Sequence, residues 1–390
     1  MRIAFFHNLP PGGGKRSAFE WLKRLSKKHK IDLYLYESRA EDFLCLYPYV
    51  NKIILVGRKN IPSRGYVKRI FAILLVYFYS KKIAKLINFE NYDLAFVMQC
   101  RVTNSPLLLR HLKIPSLFFC HESLSRMLEP QYPGKWDNNF FSIFYKIIVS
   151  LYMFLDKASA IKSSLICTSS LYSVENLYKA YGVYPILNYP GVDTMYFRPL
   201  KYKRDFMVLS VGSLTPSKGH DFVIQSIATI NKLYRPKVKV VFGVDNPFYR
   251  KKLIDLAKKL NVNISMEKEI SDEKLLKLYN KSMVTACANH LEPLGLVALE
   301  FLACGTPVVG VAEAGIRETV THNKNGLLTG RNPSDFGKAI HRLMQTRLLW
   351  SKLSKNGRNE AVRFWTWDIS CAELNKKLKL TKKPYSPEGY

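Results

Sequence analysis

The sequence predicts an α/β protein built from two doubly wound domains. Three features carry that expectation. Short apolar, β-branched runs fall into two series, helix-length segments separate the runs within each series, and the stretch NYPGVDTMYFRP at 188–199, punctuated by Pro190, Gly191 and Pro199, divides the series. Strands that alternate with helices form a mainly parallel sheet covered on both faces.

The first series comprises 2–6, 31–36, 53–56, 93–98, 115–120 and 164–168, and the second 206–212, 238–243, 262–265, 283–288 and 307–311. Domains are therefore expected over 1–190 and 191–365. At 390 residues and 47% hydrophobic content the chain can build two cores, which excludes a mainly disordered protein. Seven cysteines are scattered without a C-x-x-C pair, arguing against a disulfide framework or zinc ribbon and for a reducing compartment. The opening MRIAFFHNLPPGGG has too short an apolar run for a signal peptide, so no secretion is expected. The net charge of +30 is split evenly between the halves of the chain and fits nucleic acid, anionic substrates or an anionic membrane surface.

In open α/β sheets ligands gather beyond the carboxyl ends of strands, so the loops there are the places to search. The first is HNLPPGGGKRS, where Gly12, Gly13 and Gly14 allow close backbone approach and the next helix offers its N-terminus to an anion. Leu9 stands where a P-loop needs its first glycine. Residues 64–85 set ten apolar or aromatic residues between basic clusters (Arg64, Lys68 and Arg69; Lys81, Lys82 and Lys85), while 140–155 are interrupted by Lys146 and two serines. Both fall short of the about 20 apolar residues of a spanning helix. An interfacial surface is expected for the first and core for the second. His121 and Glu122 follow a strand end. In the second domain, Lys218 and Gly219 close the loop after 206–212 as a helix begins, so an ammonium and free backbone amides converge on a diphosphate.

Residues 292–309, EPLGLVALEFLACGTPVV, read as loop, helix and buried strand. Pro293 suits a first helical position, Gly305 the left-handed residue after a helix, and 306–311 is an apolar run. Glu292 and Glu300 return to nearly the same helix face, so both carboxylates can serve one pocket. Gly295 admits a ligand to the backbone, and the helix N-terminus favours phosphate.

This run resembles the E-x7-E motif and following helix and strand of the family 4 glycosyltransferases, retaining enzymes of the GT-B fold. The loop ending at Lys218 resembles that family's phosphate loop, with Ser213 where the family has arginine; 312–320, 325–329 and 364–380 resemble further family segments. The resemblance implies two Rossmann-like domains facing a cleft, with a last helix, about 366–390, packing back on the first. Residues 1–190 would be the acceptor side and 191–365 the nucleotide-sugar side. It assigns Glu300 to the ribose, Lys218 with the backbone of Leu294, Gly295 and Leu296 to the diphosphate, Glu292 and His121 to the transferred sugar, and Gly13 and Gly14 to a loop between donor and acceptor. Arg317 and Lys15 are candidates for the cation missing at Ser213.

The expected activity is retaining transfer of a hexosyl unit from a UDP- or GDP-sugar to a glycan or lipid-linked acceptor, in cell-surface polysaccharide or glycolipid synthesis. No D-x-D occurs in the chain, so no metal or other cofactor is expected. A cytoplasmic, peripheral location and no specific nucleic-acid partner go with this reading. A GT-B sugar-nucleotide epimerase and a noncatalytic basic nucleic-acid-binding protein are the alternatives. A hydrolytic carboxylate pair is disfavoured by the phosphate loop.

Overall fold

The computed structural model describes residues 1–37, 41–57, 61, 66–124 and 140–381. Two compact units result, the first holding the chain up to Pro190 and again from Trp367, the second Gly191–Thr366.

The first unit contains β1 (Arg2–Asn8), α1 (Gly13–Leu25), β2 (Lys30–Leu35), β3 (Lys52–Leu55), α2 (Tyr66–Phe89), β4 (Leu94–Cys100), β5 (Ser116–Phe119), α3 (Phe140–Ala160), β6 (Leu165–Thr168), α4 (Leu171–Tyr181) and β7 (Ile186–Leu187). The strands pair in parallel in the order β3-β2-β1-β4-β5-β6-β7. Because side chains alternate across a strand, Ile3 and Phe5 join one core with α1, whereas Ala4 and Phe6 join another with α2. Burial on both faces is why these strands read as continuous apolar runs.

The second unit contains β8 (Asp205–Val211), α5 (His220–Ala228), β9 (Lys237–Phe242), α6 (Pro247–Lys259), β10 (Ile264–Lys268), α7 (Asp272–Lys281), β11 (Ser282–Cys287), α8 (Leu296–Ala303), β12 (Val308–Val311), α9 (Ile316–Thr319), β13 (Gly326–Thr329), α10 (Pro333–Gln345) and α11 (Arg347–Phe364). Its parallel sheet runs β10-β9-β8-β11-β12-β13. The chain winds outward from β8 in one direction and resumes at β11 in the other. The loops after β8 and β11 therefore flank a topological switch point, where the carboxyl ends of adjacent strands leave a crevice.

The final helix α12 (Trp367–Thr381) lies in the first unit against α1. Trp21 meets Trp367 edge to face at 6.1 Å, and its Nε1–H donates to Ser370 Oγ at 2.9 Å. Residues 382–390 of the expected helix lie outside the described residues.

Several local expectations change. The strand expected at 262–265 starts at Ile264, because Asn261 takes a left-handed φ of 54° and the Val262 N–H returns to Ala257 O at 2.9 Å, closing α6. β7 and β13 were not anticipated, being two and four residues long. Residues 140–155 are not simply core, since Leu151 and Phe154 stand exposed on α3. Arg64 and the side chains of Lys68, Arg69 and Lys146 lie outside the described residues.

Candidate active site

The loop after β8 runs from Gly212 through the short turn Pro216–Lys218 to Gly219, with α5 starting at His220. Gly219 has a left-handed φ of 66°, and a Cβ there would lie 2.2 Å from Ala288 O. The loops after β8 and β11 thus pack backbone to backbone at a position only glycine fits, and His290 N–H donates to Ser217 O at 2.8 Å beside it. Gly219→Ala is expected to lower unfolding free energy by about 2–4 kcal/mol in denaturant titration, combining left-handed strain with a clash against immovable backbone.

This apposition carries Lys218 across Gly212. Lys218 Nζ donates to Glu292 Oε2 at 2.7 Å, and Asn289 Nδ2 donates to the same oxygen at 2.7 Å. Glu292 is held through its backbone as well. Gly315 N–H donates to Glu292 O at 3.0 Å, Thr319 Oγ1 to Leu294 O at 3.3 Å, and a Cβ on Gly315 would fall 1.8 Å from Pro293 O. Pro293 consequently is not the first helical residue. α8 begins three residues later, capped by Gly295 at φ 85°, and the N–H groups of Leu296 and Val297 in its first turn lack intrahelical acceptors. Gly305, at φ 66°, does follow α8 in the left-handed conformation.

Glu300 lies buried on α8, where its Oε2 accepts from Tyr279 O–H at 2.7 Å. The Tyr279 ring is held by Phe301, 4.0 Å between centroids, and Phe197, 5.7 Å. The two glutamates therefore have different hydrogen-bonding partners, Lys218 and Asn289 for one and Tyr279 for the other. Tyr279 and Asn289 escaped sequence reasoning, as did Arg331. The Arg331 guanidinium grips Glu313 with two bonds of 2.6 and 2.7 Å and donates to Ala288 O and Asn289 O at 3.0 and 3.1 Å, fixing the start of the loop that bears Glu292. No spacing signal links position 331 to 288.

Ser213 contributes its carbonyl, which accepts from His220 Nε2–H at 3.3 Å; His220 Nδ1 then accepts from Ser210 Oγ at 2.9 Å. Burial lowers His220 to about 4. Of the two candidate cations, Arg317 donates through Nε to Ala314 O at 3.2 Å, and Lys15 is buried in the first unit with its ammonium on Glu41.

In the first unit, His121 follows β5. Its backbone is clamped, with N–H donating to Gln99 Oε1 at 2.9 Å and O accepting from Ser173 Oγ at 2.9 Å. Gly13 and Gly14 form the first turn of α1 rather than a free loop. A Cβ on Gly14 would lie 3.3 Å from His121 Cδ2, so these two predicted residues are neighbours. His121 Nε2 is buried and has no hydrogen-bond partner among the described residues, and desolvation lowers the imidazole to about 4. The ring is neutral near pH 7 and presents an uncommitted polar nitrogen. Lys15 and His7 close on Glu41 nearby in the chain. His7 Nδ1 accepts from Leu9 N–H at 3.3 Å, so its Nε2–H donates to Glu41 Oε1 at 2.8 Å.

Residues 192–360, nearly all of the second unit, match the family described as Glycosyl transferases group 1. The second unit is similar to that family over those residues. A D-inositol 3-phosphate glycosyltransferase of Stackebrandtia nassauensis is 29% identical over 208 residues, 47% of this chain and 46% of that one. The chain thus matches about half the length of such relatives. Sucrose-phosphate synthase of Thermosynechococcus elongatus superposes with a TM-score of 0.78 at 18% identity, covering 97% of this chain and 98% of its own. HepE of Anabaena, solved with UDP-glucose, gives 0.75 at 17% identity over 97% and 100%. The fold of the chain is GT-B, with a Rossmann-like sheet in each unit.

Proposed function

We propose that this glycosyltransferase moves a hexosyl unit from a UDP- or GDP-sugar, with retention at the anomeric carbon and without a divalent metal, to a glycan or lipid-linked acceptor in cell-surface polysaccharide or glycolipid synthesis at the cytoplasmic face of a membrane. The observation that carries the reading is the meeting of Lys218 Nζ with Glu292 Oε2 at 2.7 Å beyond the switch point of the second sheet, beside the N-terminus of α8. A cation and free amides at one place suit a diphosphate, and a carboxylate next to them suits sugar hydroxyls. The UDP-glucose bound by HepE supports the same class of donor, and the relative's name supports transfer of a glycosyl unit.

In this reading the donor's C1–O bond breaks, the acceptor oxygen bonds C1 on the same face, and the departing phosphate takes the acceptor proton. Lys218 and the Leu296 and Val297 amides stabilise the charge left on the diphosphate. Glu292 orients the sugar, Glu300 accepts from the ribose hydroxyls, and in the first unit His121, beside Gly14, donates or accepts at a sugar hydroxyl. The deciding experiment incubates the protein with UDP- and GDP-hexoses and a glycan or lipid-linked acceptor in chelator, then reads the product anomer by NMR. An axial donor should give an axial product. An inverted product, or turnover that returns only with Mg²⁺ or Mn²⁺, would sink the reading, and a sugar isomer formed without acceptor would favour the epimerase.

Tyr279→Phe removes one hydrogen bond that orients Glu300 and should weaken donor binding about fivefold, the worth of one hydrogen bond of about 1 kcal/mol, with kcat unchanged. Isothermal titration with the nucleotide-sugar measures it.

A further inference from the structure

Helices α2 and α3 both pack on the short turn Leu107–Arg110, which sets them in one layer over the same face of the first sheet. The inward side of that layer is ordinary core, with Ala72, Val76, Ile83 and Ile87 of α2 buried. Its outward side is not ordinary surface. Phe71, Leu74 and Phe78 on α2 and Leu151 and Phe154 on α3 are each more than half exposed. On α2 their spacing of three and four residues draws them into one stripe, which continues through the exposed Lys82, Lys85 and Phe89.

The exposed charge on α2, the turn and α3 has one sign. Lys81, Lys82, Lys85 and Arg110 are exposed, and the sequences of α2, the turn and α3 contain a single acid, Asp156. That acid is buried, accepting from Ser105 N–H at 2.7 Å and Tyr181 O–H at 2.8 Å. Glu90, just past α2, is taken by Arg2 at 2.7 Å. Large apolar groups flanked by cations, with the one acid of these elements buried, match the acyl boundary and phosphates of an anionic bilayer. No described helix is long and apolar enough to cross a membrane, so the contact lies in the interface plane.

We propose that the joint outward face of α2 and α3 docks on an anionic lipid bilayer. Aromatic and leucine side chains enter the boundary between headgroups and chains, and the lysines sit at the phosphates. The proposal does not rest on the donor chemistry, since α2 and α3 belong to the first unit and Lys218, Glu292 and Glu300 to the second.

Flotation of the full chain tests it, using vesicles of phosphatidylcholine alone and of phosphatidylcholine with phosphatidylglycerol. Wild type should float with the anionic vesicles at low salt and hardly with the neutral ones. The K81Q/K82Q/K85Q variant should partition about 10²-fold more weakly, roughly fivefold per lysine. F71S/F78S and L151S/F154S should each weaken flotation as well, and thermal melts report whether they remain folded. Nucleotide-sugar titration of the same variants should match wild type, so failure here leaves the donor reading standing, and the reverse. Wild type that stays unbound, or F71S/F78S and L151S/F154S variants that float like it, would overturn the proposal. So would wild-type self-association abolished by F71S/F78S, since a second copy would then own the face.

Discussion

Lys218→Met is expected to lower transfer by about 10²- to 10³-fold, the usual consequence of removing one group that stabilises developing charge. The leaving diphosphate gains negative charge as C1 departs, and Lys218 is the cation the fold delivers beyond β8. Ser213 offers no positive charge beside it, so the loss should be steeper than in a site with two cations. The fold should survive. Lys218 and Glu292 are each about a quarter exposed, and a pair that wet contributes at most about 1 kcal/mol to stability. The melting temperature of Lys218→Met should therefore sit close to that of wild type while kcat/KM collapses. A variant that melts early would mean that the lysine acts through the backbone contacts of Gly219 instead.

Stability should fall steeply on mild acidification. Burial pushes the His7 and His220 imidazoles down from 6.5 to about 4. Both are neutral in the fold, so between these values the unfolded chain binds more protons than the folded one, and stability is lost as pH drops from about 6.5 to about 4. At 1.36 kcal/mol per pH unit, each fully buried ring accounts for about 3 kcal/mol across that window. Glu41 extends the trend. Burial opposes its ionisation, but the His7 and Lys15 bonds outweigh this and hold the carboxyl below its ordinary value of 4.5, so its contribution is present above that value and fades at lower pH. Urea titrations at pH 7, 5 and 4 measure the slope. His220→Gln keeps a donor and an acceptor without the titration and should make the slope shallower, leaving the His7 share, whereas a midpoint unchanged between pH 7 and 5 would contradict the assignment.

The strands were legible because a parallel sheet buried on both faces leaves an unbroken apolar run, as in Phe5, Phe6 and Val309. Lys218, Glu292 and Gly295 were legible because each occupies a loop after a strand, where spacing along the chain determines spacing in the fold. Other positions depend on contacts distant in sequence. Pro293 looked like a helix start, but the Gly315 N–H takes the Glu292 carbonyl, Gly315 packs against Pro293 O, and the helix starts at Leu296. Lys15 was one candidate phosphate cation that sequence could not place, and its ammonium lies on Glu41, 26 residues away, in the core. Arg331 and Tyr279 gave no signal, because their partners Glu313 and Glu300 follow no local period.

Titration of UDP- and GDP-hexoses into wild type, Lys218→Met and Glu300→Gln tests the central claim most directly, that the second unit holds a nucleotide-sugar between the loops after β8 and β11. Saturable binding of at least one such donor by wild type, weakened about tenfold or more in both variants, is the expected result. A wild type that binds none of them, or variants that bind as tightly as wild type, would contradict it.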